Sequence, residues 1–304
     1  MFRYSPIIIF SYNRRTKLNN LFKSLKKNKE YKYSKVYIYQ DFYKPKENER
    51  NIKKVKNTII FLKKLKEKNV KIVFRKKNFG LAKNIILGVT EIIKLHRRAI
   101  ILEDDLIVSK FFLNFMNKSL NFYQNKKKIF HINGWSFDLN LQKNLKYDNY
   151  FLKLPSSWGW ATWADRWKYF EKNPELIIKS WSASKVKKFN FDNNYNFFSQ
   201  IERNKSNQLN SWAIFWYAVI FDRKKLCIYP KHSYISNTGF DSNASNTKKR
   251  TNLFKSRLKE KIKISHFQFD KNIKENNKIV NEIIGKMKLE KKFSLFKKII
   301  NYLK

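Results

Sequence analysis

Ala99-Ile100-Ile101-Leu102-Glu103-Asp104-Asp105 is a short apolar run that passes straight into three acids. The run has the length and composition of a buried strand. Three like charges at a strand end repel one another unless something positive lies between them. One answer is a hard divalent cation, Mg²⁺ or Mn²⁺, held by carboxylate oxygens with water and phosphate completing the shell. The other is a helix start, with Asp104 or Asp105 capping a helix through Ile107–Met116.

What precedes the acids decides where they sit. Ile7–Phe10 reads as a buried strand and Lys17–Lys29 as a helix, with Leu18, Leu21, Phe22 and Leu25 at spacings of three and four. Lys35–Asp41 reads as a second strand, and Ile52–Asn69 as a second helix. Val70–Phe74 follows as a third strand, and Leu81–Leu95 as a third helix. Strand and helix alternate up to Ala99–Leu102, so the fold class is α/β: a mixed, mostly parallel sheet flanked by helices. Right-handed crossovers place the strand C-termini on one edge, where ligands bind in such sheets. That position favours a site over a cap for Glu103, Asp104 and Asp105.

The chain has 304 residues and a formal charge of +44, from 67 Lys and Arg against 23 Asp and Glu. Apolar residues make up 42% and run along the whole length, which excludes global disorder. The charge invites a nucleic-acid reading. Yet only 12 of the basic residues are Arg, and the planar guanidinium is what base and phosphate readers lean on. Lys enrichment beside abundant Asn, Ile, Phe and Tyr is what an AT-rich coding sequence gives. The expectation is a solvated Lys-rich surface with no nucleic acid as partner. Cys227 is the sole cysteine, so no internal disulfide forms and a reducing compartment is expected. Met1–Phe10 is too short in apolar residues for a signal segment, and no run reaches the ~18–20 apolar residues of a spanning helix. The expected location is cytoplasmic, peripheral to the inner membrane face.

Phe111–Phe170 is aromatic-rich and less regular, with Ser157-Trp158-Gly159-Trp160-Ala161-Thr162-Trp163 at its centre. Residues 173–210 read as polar helices. Asn210–Phe221 reads as either helix or strand, and Leu226–Tyr229 as a late strand. Composition shifts beyond Ser242, which divides the chain into a domain over 1–245 and a basic, partly helical tail over 246–304. Phe293, Phe296, Ile300 and Leu303 share one helical face ringed by lysines. Such a helix suits an anionic bilayer as well as it suits packing on a core.

Further pieces lie at the other strand ends. Ser11, Asn13 and Arg14 follow the first strand and Asp41 closes the second. Asn78-Phe79-Gly80-Leu81-Ala82-Lys83 opens the third helix, where free N–H groups attract anions.

In order, strand-SYNR, QD, NFGLAK, strand-EDD, SSWGWATW, NSWAIFW and YPKHSYISNTGFD resemble bacterial inverting glycosyltransferases with the GT-A fold. They are similar to its large inverting family and to the N-acetylglucosaminyltransferase I branch. The resemblance spans roughly residues 4–245. It implies a hexosyl- or N-acetylhexosaminyltransferase with a nucleotide-sugar donor, Mn²⁺ or Mg²⁺, and transfer to a glycan or lipid-linked glycan hydroxyl. The setting it implies is surface polysaccharide, lipopolysaccharide or capsule synthesis. It assigns Asp105 to the metal, and Glu103 and Asp104 to donor sugar and ribose. Asp41 goes to the base, Ser11, Asn13 and Arg14 to the base and phosphate pocket, and Gly80 and Lys83 to the ribose or diphosphate. Trp158, Trp160 and Trp212 offer flat faces for an acceptor sugar, or core packing.

Relatives carry an acid where this chain has Asn210, which cannot take a proton. Asp241 is the substitute general base, with Glu202 and Asp165 as others. His131 and His232 read as structural. Two other readings stand beside this one: a nucleic-acid-associated protein and a sugar nucleotidyltransferase.

Overall fold

The computed structural model describes residues 4–239, 258 and 266–302, with 291–302 as backbone. Its first third follows the expected alternation: β1 (Ile7–Ser11), α1 (Arg15–Leu25), β2 (Val36–Gln40), α2 (Glu49–Lys63), β3 (Val70–Phe74), α3 (Leu81–His96) and β4 (Arg98–Glu103). Helix α1 starts without a side-chain cap, Arg14 standing at the cap position. A missing cap costs about 1 kcal/mol. Burying Leu18, Leu21, Phe22 and Leu25 contributes about 1.5–3 kcal/mol each, so packing decides that the helix forms.

The acids do not cap a helix. Leu106–Val108 is a strand, β5, and the next helix is α4 (Phe112–Phe122). Then come β6 (Ile129–Asn133), β7 (Asn149–Leu152), β8 (Trp160–Trp163) and α5 (Ala164–Trp167). Helices α6 (Pro174–Ser180), α7 (Ala183–Phe189), α8 (Phe198–Lys205) and α9 (Ala213–Asp222) follow, with β9 (Leu226–Pro230), β10 (Ile235–Asn237) and α10 (Asn277–Tyr302). The ambiguous apolar run is helix α9, buried nearly all round, which is why it shows no helical period.

Among the described residues, one eight-stranded sheet is ordered β3-β2-β1-β4-β8-β6-β9-β7, and β5 pairs with β10 in a small second sheet. β1 lies parallel between β2 and β4, and β2 is parallel to β3. The chain builds to one side of β1 through β2 and β3, then crosses to the other side at β4. That reversal is a topological switch point, and the crevice beyond it is where open α/β sheets bind ligands. Register aligns the ends: Ser11 pairs with Gln40, and Phe10 with Glu103. β8 runs antiparallel between β4 and β6, so the Trp-rich motif is a central strand and not an irregular loop. Gly159 precedes it at φ +61, and a Cβ there would meet Ile235 Cδ1 at 1.8 Å.

Alternate residues of the central strands feed two cores, one under α1, α2 and α4, the other under α3 and α9. Burial on both faces explains the unbroken apolar run of β1. Residues 266–290 belong to this packing. Ile279, Ile283 and Met287, one turn apart on α10, are buried in the second core, and Phe267, Phe269 and Ile273 pack on the first. The stretch before α10 runs beside edge strand β7: Asp148 N donates to Gln268 O at 2.9 Å, and Asn276 N to Phe151 O at 2.9 Å. Residues 266–290, beyond the expected boundary at residue 245, thus pack against the same two cores. The face expected over Phe293–Leu303 lies outside the described side chains. No helix among the described residues is long and apolar enough to cross a membrane.

His131 is fully buried on β6, structural as expected. Trp216 Nε1 donates to its Nδ1 at 3.1 Å, so Nε2 carries the proton and donates to Asn133 Oδ1 at 2.9 Å. Burial, only partly opposed by the bonds to Asn133 and Ser156, pushes its pKa down to about 3. Unfolded, the ring takes a proton near pH 6.5. Between those values the unfolded state holds the extra proton, so stability rises with pH across the window and the contribution is complete above 6.5. Urea unfolding from pH 7 to 5 should show a wild-type slope that exceeds that of His131→Gln by up to about 1.4 kcal/mol per pH unit.

Candidate functional site

A cleft of about 770 Å³ opens at the switch point. Its lining includes Ser11, Asn13 and Arg14 after β1, Asp41 after β2, Gly80 before α3 and Glu103, Asp104 and Asp105 after β4. Trp158 and Trp212 border it from the other side, with Asn210, Ser211 and the amides of Gln200 and Gln208. Stretches as far apart as Ser11 and Gly239 thus meet in one place.

The acidic turn is the electrostatic centre. Asp104 and Asp105 are buried and Glu103 is half-buried. Arg14 Nη1 lies 2.5 Å from Asp105 Oδ2 and 3.3 Å from Asp104 Oδ1. Tyr12 N donates to Asp104 Oδ2 at 3.3 Å. Among the described residues no side chain donates a hydrogen bond to Glu103. Burial first, then the neighbouring Asp105 and Asp104, raises Glu103; burial first, then Asp105, raises Asp104; Arg14 pulls both back only in part. One guanidinium is too little charge for three carboxylates.

That imbalance is the test for a cation. Among the described residues, no three His, Cys, Asp or Glu side chains converge to enclose an ion. One or two carboxylates in an open cleft are instead the donor set that holds Mg²⁺ or Mn²⁺ with water and phosphate oxygens. The residues fit such an ion. Asp105 is further shaped by the segment after β10. Thr238 N and Oγ1 both donate to Asp105 O, at 2.9 and 2.8 Å. Gly239 lies so close that a Cβ would stand 2.1 Å from Asp105 Oδ2. Only glycine leaves room there for the carboxylate and a ligand. Asn237-Thr238-Gly239 was legible as a motif, but its contact with Asp105 joins residues too distant in sequence to be read.

Asp41 borders the cleft and is bonded to a neighbouring loop. Its carboxylate accepts from Phe79 N and Gly80 N, both at 2.9 Å, from Phe42 N at 3.0 Å and from Asn78 Nδ2 at 3.4 Å. Two of the N–H groups expected to attract an anion near the start of α3, those of Phe79 and Gly80, are thus taken by a side chain of the neighbouring strand. Burial raises the Asp41 pKa, and these bonds oppose the rise. Asp41 is a clamp on the loop 78–80 that borders the cleft. Ser11 Oγ is likewise committed, donating to Gln40 Oε1 at 2.8 Å, and Asn13 pairs with Asn51.

Two expected residues lie outside the cleft lining. Lys83 Nζ stands over the Phe79 ring, 5.4 Å from its centroid. Trp160 is 1% exposed and stacks between His131 and Trp212, so it is core. Asn210 borders the cleft and accepts a bond from Lys172. Of the alternative bases, Asp165 is paired with Lys127 and Arg166, and Glu202 borders a separate depression beside Trp181. Asp241 lies outside the described residues.

No family model matches the sequence, and no curated protein matches it. Among solved structures, the chain is similar to the mannosyltransferase PcManGT from Pyrobaculum calidifontis in complex with GDP-Man and Mn²⁺. That match has 8% identity and a TM-score of 0.37, over 73% of this chain and 70% of that one. It is also similar to the galactosyltransferase LgtC in complex with donor and acceptor sugar analogues. There identity is 12% and the TM-score 0.36, over 71% of this chain and 70% of that one.

If Asp41 clamps the loop, Asp41→Ala leaves the Phe79 and Gly80 amides without their acceptor. The expected loss is about 1–3 kcal/mol of unfolding free energy. Hydrogen exchange at those two amides should accelerate more than at amides of the sheet.

Proposed function

We propose that this chain is a metal-dependent glycosyltransferase of the GT-A type. It transfers a sugar from a nucleotide-sugar, a UDP-sugar by the resemblance, to a hydroxyl of a glycan acceptor. What carries the reading is convergence: all seven motifs of the resemblance, from Ser11 to Gly239, border one cleft at the switch point, with the acidic turn at its centre.

The residues divide the work. Asp105 would hold the ion, Mn²⁺ or Mg²⁺, and an ion there neutralises charge on a departing diphosphate. Arg14 supplies a fixed positive charge to the phosphates. Glu103 and Asp104 face the donor sugar and ribose. Asp41 orders the loop 78–80 beside the base, and Ser11 and Asn13, fixed by Gln40 and Asn51, define the near wall. Trp158, partly exposed at the cleft, gives the acceptor ring an apolar face, and Trp212, buried and stacked on Trp160, borders the same wall. No carboxylate of the described residues lies on that far wall, so we assign the general base to Asp241, two positions after Gly239. Inversion follows from one base acting on the acceptor hydroxyl opposite the leaving group. A lipid-linked surface-glycan acceptor, lipopolysaccharide or capsule, at an anionic membrane face fits the Lys-rich C-terminal stretch.

Turnover of UDP-sugars with and without Mn²⁺, read as released UDP, tests the reading. Asp105→Ala is expected to lose activity by about a hundredfold or more, and full turnover in that variant refutes the metal assignment. Asp241→Asn should keep UDP binding and lose transfer by about 10²–10⁴-fold. Release of pyrophosphate in place of UDP would instead identify a nucleotidyltransferase.

A further inference from the structure

We propose that Arg14 couples metal and donor binding: it is the counter-ion of Asp105 and Asp104, and a nucleotide's diphosphate draws it off Asp105 as a divalent ion takes its place. The proposal rests on the donor reading above and adds an order to it.

The geometry makes the two cations rivals. Arg14 Nη1 stands 2.5 Å from Asp105 Oδ2, the oxygen over which Gly239 leaves room. An ion on that oxygen and a guanidinium at that distance repel each other. A guanidinium does not lose its proton, so it yields only by moving. Arg14 is placed to move. It occupies the cap position of α1, where the partial charge of the helix end is positive and disfavours a cation. Its attachment to the acids is through Nη1 alone. Among the described residues the other N–H groups of the fork donate to no protein acceptor, and phosphate is their best partner. The side chain is 19% exposed and borders the cleft.

Charge then sets the order. A diphosphate arriving without an ion meets three carboxylates offset by one guanidinium and, less strongly, by Lys17. An ion arriving without a diphosphate must displace Arg14 and leave it beside a dication with no anion to receive it. Together, each relieves the other, and the coupling is reciprocal.

Isothermal calorimetry and Mn²⁺ paramagnetic resonance on the full chain, with and without UDP, read this directly and need no turnover. In the wild type, UDP should tighten Mn²⁺ binding by about tenfold or more. In Arg14→Met, Mn²⁺ alone should bind about tenfold tighter than to the wild type, and UDP should add little. Arg14→Lys keeps a competing charge, so its affinity for Mn²⁺ alone should stay near the wild-type value, which controls for a folding defect in the Met variant. If Arg14→Met binds Mn²⁺ no more tightly and UDP still strengthens binding, the coupling is refuted while the donor reading stands. If the wild type binds no Mn²⁺ with or without UDP, the donor reading fails and the coupling falls with it.

Discussion

Three carboxylates crowded at the end of a buried strand repel one another, and much of the cleft is arranged around containing that repulsion. Strand β4 cannot release them to solvent. Its apolar residues are buried on both faces, and its register with β1 fixes where Glu103 falls. Relief has to come from elements already next to it. Arg14 comes from the end of β1 and the Tyr12 amide from the same turn, while Thr238, just after β10, bonds the Asp105 carbonyl and holds the turn in place without touching its charge. The relief is partial, so the turn presents uncompensated acid to the cleft.

A second containment stands beside it. The Asp41 carboxylate, at the end of β2, is satisfied almost wholly by backbone amides of the loop before α3. One acid is therefore neutral in effect, its charge spent on holding a loop, while the three next door stay short of partners. Strand ends on either side of β1 thus differ in how fully their carboxylates are satisfied.

The part of this legible in the sequence was the part governed by local pattern. Apolar runs and helical spacing located β1 to β4 and α1 to α3, and the acids stood out in a chain so basic. The cap alternative looked equally good locally, because what overrules it is the pairing of Leu106–Val108 with Ile235–Asn237. The Trp-rich strand β8 read as irregular because its aromatic crowding hides the alternation of a strand with both faces buried. Trp158, Trp160 and Trp212 carry the same ring, and only packing shows that Trp160 and Trp212 are buried in the core while Trp158 is partly exposed at the cleft. The continuity of residues 266–290 with the core was masked by a composition of Lys and Asn around a few apolar positions.

The chain running beside β7 has a consequence for how copies of the protein behave at high concentration. An open sheet presents unpaired backbone groups at each border, and these recruit strands from other molecules into fibrous aggregates. At one border the bonds from Asp148 to Gln268 and from Asn276 to Phe151 occupy part of that template. At the other, β3 is short and carries Lys71, with Lys76 and Lys77 just beyond it, so a second copy meets like charge. Solubility here is built by two unlike devices, a strap and a fence of lysines.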